Sequence, residues 1–258
     1  FFFATTMYRS ARLGMGLAFG CSASYALQQR YLAAKEEEAK GIKLTYFGGD
    51  FKGKAEPIRS YAAAVGLPVE YETVSFDEWP QKKPSTPFGS LPYATLPDGS
   101  LLAQSYAILM YIGESTQTAG TTAKDKALIH CINGALEDSA GGWVFSELAD
   151  EEKRAKAKSK VEGILTKIDA MCGPDRAIGS TVTPADALIW YAVARYTFIF
   201  EGLVVPPKVA TIAQNFEAIP AVQAWHKSPE YPKHFLPTFV PFVKNNAYLQ
   251  KRIADTSK

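Results

Sequence analysis

The stretch PFGSLPYATLPDGSLLAQSYAI, residues 87–108, decides the fold of this 258-residue chain. Its first part, LPYATLPDGSLL, predicts two short strands on either side of Pro97-Asp98-Gly99, a sequence that favours a tight hairpin turn. Helical periodicity follows over residues 104–114. The stretch therefore predicts a β-hairpin that leads directly into a helix.

The residues before this hairpin predict a strand, a helix and a second strand. IKLTYF, residues 42–47, is a short buried strand, and residues 54–65 have helical periodicity that stops at Gly66-Leu67-Pro68. VEYETVSF, residues 69–76, alternates as a strand. A right-handed βαβ unit followed by a hairpin and a helix makes one mixed, four-stranded sheet. The α/β pattern βαβ-ββα thus predicts a thioredoxin-like domain over residues 42–116.

Signals for strands become rare from residue 121 onward, and helical patterns replace them. We predict long helices over 123–148, 151–171 and 185–200, and shorter helices over 209–217 and 221–227. These form an all-α domain over residues 121–229, in which Thr183 and Asp186 have the spacing of a helix capping box. In the tail, residues 230–258, spaced prolines exclude a long helix up to residue 246. The aromatic residues of the tail predict that it lies on a surface and covers apolar area.

The first 41 residues form a separate segment that is apolar and basic. Between Arg12 and Arg30 the chain carries no charge, and the length of this run is near the short limit of roughly 17–25 residues for a membrane-spanning helix. Gly16, Gly20 and Ser24 share one helix face, which would allow a second helix to approach closely in lipid. Three interpretations stay open: a mitochondrial targeting leader, a membrane anchor over residues 9–31, or an arm on a soluble partner. The corresponding locations are an organellar membrane, with the mitochondrion favoured, or the cytoplasm.

Composition excludes several classes of function. The formal net charge of +2 gives no electrostatic footprint for nucleic acid. The three cysteines are far apart and form no CxxC pair, which argues against a disulfide framework and against a thiol-redox centre. The three histidines lack the helical spacing of metal ligands. His130 beside Cys131 could be ligands, but a position on a helix face is favoured, so we expect no metal cofactor.

Several motifs together resemble the sigma class of glutathione transferases. In order along the chain they are KLTYF, KAEPIR, WPQKKPSTPFGSLPYATLPDG, LAQSYAILMYI, VTPADALIWY and IPAVQAWHKSPE, and they span residues 42–229. The resemblance implies an all-helical glutathione-transferase domain behind the thioredoxin-like one. It also implies glutathione as co-substrate, a hydrophobic electrophile as second substrate, and a homodimer.

Tyr46, at the end of the first predicted strand, is the position that the family uses to activate glutathione. The thiol must become a thiolate to act as a nucleophile, and a thiol with a pKa of about 8.5 is mostly protonated at neutral pH. A phenolic hydroxyl that donates to the sulfur binds the charged form more strongly, by about 1.5–3 kcal/mol. Taken alone, a strand tyrosine would more often belong to the core.

The resemblance also assigns residues that would hold the tripeptide. Leu91-Pro92 resembles a turn with a cis proline, where the backbone of Leu91 pairs with the cysteinyl part of glutathione. Gln104 and Ser105 open a helix whose hydroxyl and free N–H groups suit the γ-glutamyl carboxylate. As alternatives, the proline is an ordinary loop residue and Ser105 is a helix cap.

Three further residues match family contacts. Trp79 and Lys83 stand where the family binds the glycyl carboxylate, and the alternative for Lys83 is a solvated surface charge. Asp138 matches an acidic residue that crosses the dimer interface toward the glutathione amine, with a surface carboxylate as the alternative.

The loop after Tyr46 departs from the family pattern. FGGDFKGK looks two residues longer than the usual sigma loop, and Lys54 stands where an arginine is common, so the charge remains but the planar fork of donors is lost. Phe51 could fold over the site or fill it. We expect the second substrate to contact Phe47, Phe51 and Trp143.

Two functions of different classes follow. In the first, the chain is a glutathione transferase that attacks an electrophilic carbon, a peroxide or an endoperoxide. In the second, it is an accessory structural subunit of an organellar membrane complex that reuses the fold with a weakened site. A reductase of the glutaredoxin type would need a cysteine near Tyr46, and the sequence has none there.

Overall fold

The computed structural model describes residues 41–140, 148–238 and 240–256, and these belong to one compact unit. The predicted leader up to residue 40 and the predicted pocket residue Trp143 lie outside the described residues. Among the helices of the described ranges, none is both long and apolar enough to cross a bilayer.

A four-stranded mixed sheet forms the first half of this unit, as the sequence predicts. Its strands are β1 (Ile42–Phe47), β2 (Val69–Val74), β3 (Tyr93–Thr95) and β4 (Leu101–Ala103), in the order β2-β1-β3-β4. β1 runs parallel to β2 and antiparallel to β3, and β3 pairs antiparallel with β4. The second strand is shorter than predicted, because pairing ends at Val74 and Phe76 is exposed.

Helix α1 (Glu56–Val65) makes the crossover between β1 and β2, and a 3₁₀ turn at Gly53–Ala55 precedes it. Seven of its ten residues are buried, so the helix is covered on most sides. Gly66 ends it in the left-handed conformation with φ 74°, as the Gly-Leu-Pro sequence predicts.

The connection from β2 to β3 is built from short turns. Helix α2 (Trp79–Lys82) is followed by 3₁₀ turns at Lys83–Ser85 and Pro87–Gly89. The predicted hairpin turn is present, since the N–H of Leu96 donates to the carbonyl of Ser100 at 2.9 Å. Helix α3 (Ser105–Ser115) then closes the thioredoxin-like half.

The second half is helical. Its helices are α4 (Ala123–Ala140), α5 (Glu151–Met171), α6 (Pro184–Ile199), α7 (Pro207–Glu217) and α8 (Pro220–His226). The end predicted for the first of them, residue 148, is wrong, because Leu148 lies in a turn. The capping box of α6 is confirmed: the carboxylate of Asp186 accepts hydrogen bonds from the N–H and the hydroxyl of Thr183, at 2.8 and 2.7 Å.

The tail does more than cover a surface. Helices α9 (Pro241–Lys244) and α10 (Ala247–Thr256) form after the spaced prolines. Leu236, Val243 and Leu249 are buried in the same apolar cluster as α4, α5 and α6. The tail is therefore part of the helical core. The pattern of prolines and aromatic residues in the sequence did not predict this.

Candidate functional site

The sheet topology brings the predicted glutathione residues to one end of the sheet. Thr45 in β1 pairs with Tyr93 in β3, so Tyr46 and Pro92 are the next residues along their strands. Tyr93 also pairs with Ala103, and Gln104 follows directly. β1 and β2 are parallel, so the segment after Val74 starts at the same end. Four separate stretches of sequence thus meet around the end of β1.

The hydroxyl of Tyr46 is held by the backbone of the loop that follows it. It accepts a hydrogen bond from the N–H of Lys54 at 3.1 Å. Tyr46 is only 6% exposed, and burial raises the pKa of its phenol, while the N–H of Lys54 acts in the opposite direction. The phenol is therefore neutral at physiological pH. Because the backbone N–H fills an acceptor position, the phenolic proton stays free to be donated.

Gly53 is required for this arrangement. It has φ +51°, and a Cβ atom at this position would lie 2.3 Å from the hydroxyl oxygen of Tyr46. A side chain here would therefore push the loop away from the phenol. Gly48, earlier in the same loop, makes no such approach, because a Cβ atom there would lie 3.5 Å or more from Thr73 and Val74.

Phe51 folds over Tyr46, one of the two outcomes predicted for it. The centroids of the two rings are 5.7 Å apart, and Phe51 is 6% exposed. The ring covers one side of Tyr46 and is itself buried. Tyr46 therefore lies beneath the loop and not on an open surface.

Phe47 and Trp79 belong to an aromatic cluster at the end of β1. The ring of Phe47 stacks on Phe76 at 4.6 Å between centroids and contacts Trp79 edge-on at 5.2 Å. These contacts fix the orientation of Trp79 at the end of the sheet. Lys83 is exposed at the start of the 3₁₀ turn that follows α2.

The turn before β3 and the start of α3 have the backbone geometry that the resemblance implies. The Leu91–Pro92 peptide bond is cis, and Leu91 is half-buried. Gln104 is exposed with φ 73°, and Ser105 is the first residue of α3. Its hydroxyl and the unpaired N–H groups of the first helical turn form a site suited to an anion.

Lys54 reaches the helical half through its side chain. Its ammonium lies 2.8 Å from the carboxylate of Glu137 in α4, and both side chains are more than half exposed. Asp138, the predicted acidic residue, is exposed next to it, and its carbonyl accepts from Lys160 at 3.2 Å. Sequence reasoning missed Glu137, because two adjacent acids on a helix point in different directions and only contacts distinguish them.

A narrow cavity of ≈ 50 Å³ lies between the two halves. It is lined by side chains of the loop, α1, α3, α4 and α6: Lys54, Pro57, Ser105, Leu109, Asn133, Leu136, Glu137, Leu188, Tyr191, Ala192, Arg195 and Tyr196. Phe47 and Phe51 do not occur among these described lining residues, and their role in a second pocket stays a prediction. The α6 residues were missed, because helical periodicity marks them as core and nothing marks them as cavity wall.

No cluster of three or more His, Cys, Asp or Glu side chains that could hold a metal ion occurs in the described ranges. The chemistry that the site offers is that of a phenol, a helix N-terminus and exposed backbone.

Comparison with known proteins agrees with this geometry. Residues 42–114 match the family described as glutathione S-transferase, N-terminal domain. Glutathione S-transferase 1 of Ascaris suum is 31% identical over 196 residues, which cover 71% of this chain and 94% of that protein. Hematopoietic prostaglandin D synthase of Homo sapiens is 29% identical over 192 residues, with 72% and 94% covered.

A solved structure extends the likeness to the whole fold. The crystal structure of the glutathione S-transferase from Ascaris lumbricoides superposes with a TM-score of 0.67 at 29% identity, covering 76% of this chain and 100% of that one. The thioredoxin-like half with its mixed sheet and the helical half that follows are thus both present in that structure. The chain belongs to the glutathione S-transferase family of enzymes.

Proposed function

We propose that this chain is a sigma-like glutathione transferase that ionises the thiol of glutathione at Tyr46 and directs the thiolate to a hydrophobic electrophile or peroxide. The observation that carries the proposal is the hydrogen bond from the N–H of Lys54 to the hydroxyl of Tyr46. It holds the phenol in one orientation and leaves its proton available to a sulfur.

The reaction requires little acid–base chemistry from the chain. The thiol loses its proton to solvent, and the phenol of Tyr46 donates a hydrogen bond to the sulfur that remains. Hydrogen bonds to a charged group contribute about 1.5–3 kcal/mol, which lowers the thiol pKa by roughly one to two units. The thiolate then forms a bond to the electrophilic atom, and the leaving group departs with the electron pair. An activated thiolate of this kind is the usual route to sulfur nucleophiles.

The rest of the tripeptide is bound by backbone and by the helix start. The backbone of Leu91 pairs with the cysteinyl residue in the manner of an added strand. Ser105 and the first turn of α3 bind the γ-glutamyl carboxylate, while Trp79 and Lys83 lie where the glycyl carboxylate would end. All these residues lie around the same end of the sheet.

The cavity between the halves suggests the class of second substrate. Apolar side chains of Leu109, Leu136 and Leu188 line it beside Lys54 and Arg195. A hydrophobic compound with an electrophilic or peroxide group fits this lining. Because the cavity is ≈ 50 Å³ and pockets for drug-sized molecules are about 300–1,000 Å³, it must widen to admit one. The prostaglandin D synthase relative makes an endoperoxide a candidate worth assaying.

The decisive test is Tyr46→Phe, which removes the hydroxyl and keeps the ring. We expect kcat with a generic electrophile to fall by at least about tenfold, because the thiolate loses one charged hydrogen bond. The Kd of glutathione should change little. Tyr93→Phe, on the neighbouring strand, is the matched control and should keep turnover. Equal turnover of Tyr46→Phe and the unchanged chain would remove Tyr46 from the reaction.

An accessory structural role is the second candidate, and the covered phenol favours it. Phe51 lies over Tyr46, and the cavity of ≈ 50 Å³ is far smaller than the pockets that bind drug-sized molecules. In this role the fold would serve assembly with other subunits of a membrane complex, in place of a homodimer. Purified full-length chain that binds no glutathione and occurs only in a large assembly would support this candidate against the enzyme.

A further inference from the structure

We propose that residues Lys233–Phe235 of the tail position Tyr46, and so form part of the machinery that activates glutathione. Together with Asp50–Lys52 of the loop they make a contact that we call the loop–tail clasp. The inference rests on the proposed function of Tyr46. It adds a positioning element that lies almost 190 residues further along the chain than the phenol.

Three backbone donors join the two segments. The N–H of Lys52 donates to the carbonyl of His234 at 2.7 Å, and the N–H of His234 donates to the carbonyl of Asp50 at 3.2 Å. These two bonds make a parallel β-bridge between Phe51 and His234. The N–H of Lys233 also donates to the carboxylate of Asp50 at 2.8 Å. Loop and tail are thus paired like two short strands.

Side chains anchor the clasp to the helical half. The ammonium of Lys52 lies 4.0 Å from the centre of the Phe235 ring and 4.8 Å from that of Tyr231. Phe235 in turn stacks on Phe198 of α6 at 5.3 Å. Lys52 is 8% exposed, so these cation–π contacts are largely desolvated and stronger than at the surface. The tail side of the clasp therefore cannot shift without disturbing α6.

The loop side of the clasp leads directly to the phenol. Phe51, in the centre of the bridge, packs on the ring of Tyr46. Gly53 and Lys54 follow, and the N–H of Lys54 donates to the phenolic oxygen. The loop contains three glycines, each of which widens the range of backbone conformations. Without the clasp this loop would sample many conformations, and the Lys54 N–H would spend less time on Tyr46.

Asp50 is the residue at which the clasp can be tested without touching Tyr46. Its φ is 57°, a left-handed conformation that asparagine and glycine tolerate. Asp50→Ala and Asp50→Gly both remove the carboxylate that accepts from Lys233, and the glycine variant does so without backbone strain. Asp50→Asn keeps an acceptor oxygen and is the conservative variant that should rescue the function.

The measurement is the pKa of the thiol of bound glutathione, obtained by titrating the ultraviolet absorbance of the thiolate in the binary complex. We expect Asp50→Ala and Asp50→Gly to raise this pKa by about half to one unit, the effect of losing one ordinary hydrogen bond. kcat should fall by about three- to tenfold, with less than about twofold change in the KM of glutathione. Asp50→Asn should stay close to the unchanged chain.

The tail side gives an independent variant. Lys233→Pro removes the N–H that donates to Asp50 and changes an exposed side chain. If both variants act through the same hydrogen bond, the double variant Asp50→Ala/Lys233→Pro should raise the thiol pKa no further than either single one. Glu230→Ala, an exposed tail residue outside the clasp, is the control and should match the unchanged chain.

The outcomes separate the clasp from the proposed function. A thiol pKa that stays constant in Asp50→Ala, Asp50→Gly and Lys233→Pro, while Tyr46→Phe raises it, would overturn the clasp and leave the transferase intact. A thiol pKa equal to that of free glutathione in the unchanged chain would instead overturn the function of Tyr46. Loss of thermal stability without a shift in thiol pKa would show that the clasp only supports the fold, and would also overturn the inference.

Discussion

The two sides of the proposed glutathione site are built in different ways. On the side that would face the sulfur of glutathione, which we call the sulfur side, Tyr46 is buried. It is held by contacts from the loop, from α1 and, through the clasp, from the tail. On the opposite side, Leu91 and Ser105 are only half-buried, and their positions follow from a local turn and a helix start. In the proposed function, binding and activation of the tripeptide thus depend on different parts of the fold. Changes on the two sides should therefore affect KM and kcat separately.

Gly53→Ala should disturb the sulfur side and have the largest effect on kcat. The new Cβ would lie 2.3 Å from the phenolic oxygen, and φ +51° adds about 1 kcal/mol of strain. We expect kcat to fall by at least about tenfold, because the phenol loses its Lys54 donor and its orientation. Gly66→Ala is the matched control: Gly66 has φ +74° and open space around it, so it carries the strain without the clash. Equal kcat in both variants would contradict the proposed role of the close approach.

Ser105→Ala, on the opposite side of the site, should weaken glutathione binding and leave activation of the thiol unchanged. The variant loses a hydrogen bond to a carboxylate, which raises the KM of glutathione by about tenfold. kcat at saturating glutathione should change by less than about twofold. Ser115→Ala, at the other end of α3, serves as control. A fall in kcat with constant KM would show that the two sides are not separate.

Alkaline pH should lower the stability of the folded protein, because buried tyrosines such as Tyr46 on the sulfur side resist ionisation. Burial raises the pKa of Tyr46 and of Tyr191 above the ordinary value of 10.0. In the unfolded chain these phenols ionise near pH 10.0, whereas in the folded protein they stay neutral. Stability is therefore complete below this pH and falls as pH rises above it, by up to about 1.4 kcal/mol per unit and per tyrosine. Denaturant titrations should show a shallower decline for Tyr46→Phe, and an identical decline would contradict the burial effect.

Glu137→Gln should have the smallest effect. The ion pair with Lys54 is more than half exposed, and pairs of this kind contribute about 0–1 kcal/mol. We expect kcat to change by less than about threefold, because the backbone N–H and not the ammonium of Lys54 contacts Tyr46. A tenfold loss of kcat would show that the charge of Lys54 matters for the thiolate. The ion pair would then count among the contacts that support activation at Tyr46.

Local signals were sufficient to predict most helices and strands of the two halves. Glycine followed by proline ended α1, Pro97-Asp98-Gly99 made the hairpin, and Thr183 with Asp186 capped α6. Each of these signals acts within a few residues. The cis peptide before Pro92 followed from resemblance to a family motif and not from spacing.

Contacts between distant residues were the part that the sequence could not supply. The pairing of Asp50 with Lys233 spans 183 residues, and the local sequence of neither segment predicts the contact. The burial of Leu236 and Leu249 likewise depends on residues of α4, α5 and α6 that lie far away in sequence. Periodicity describes one element at a time, so it cannot say which element a residue meets.

Burial of Leu249 has a consequence for synthesis of the protein. The apolar cluster of the helical half includes this residue, which lies only a few positions before the end of α10. A chain still emerging from the ribosome, or cut by a protease after Pro229, lacks Leu236, Val243 and Leu249, which complete that cluster. Such fragments would expose apolar surface and would be degraded rather than accumulate as partly active enzyme.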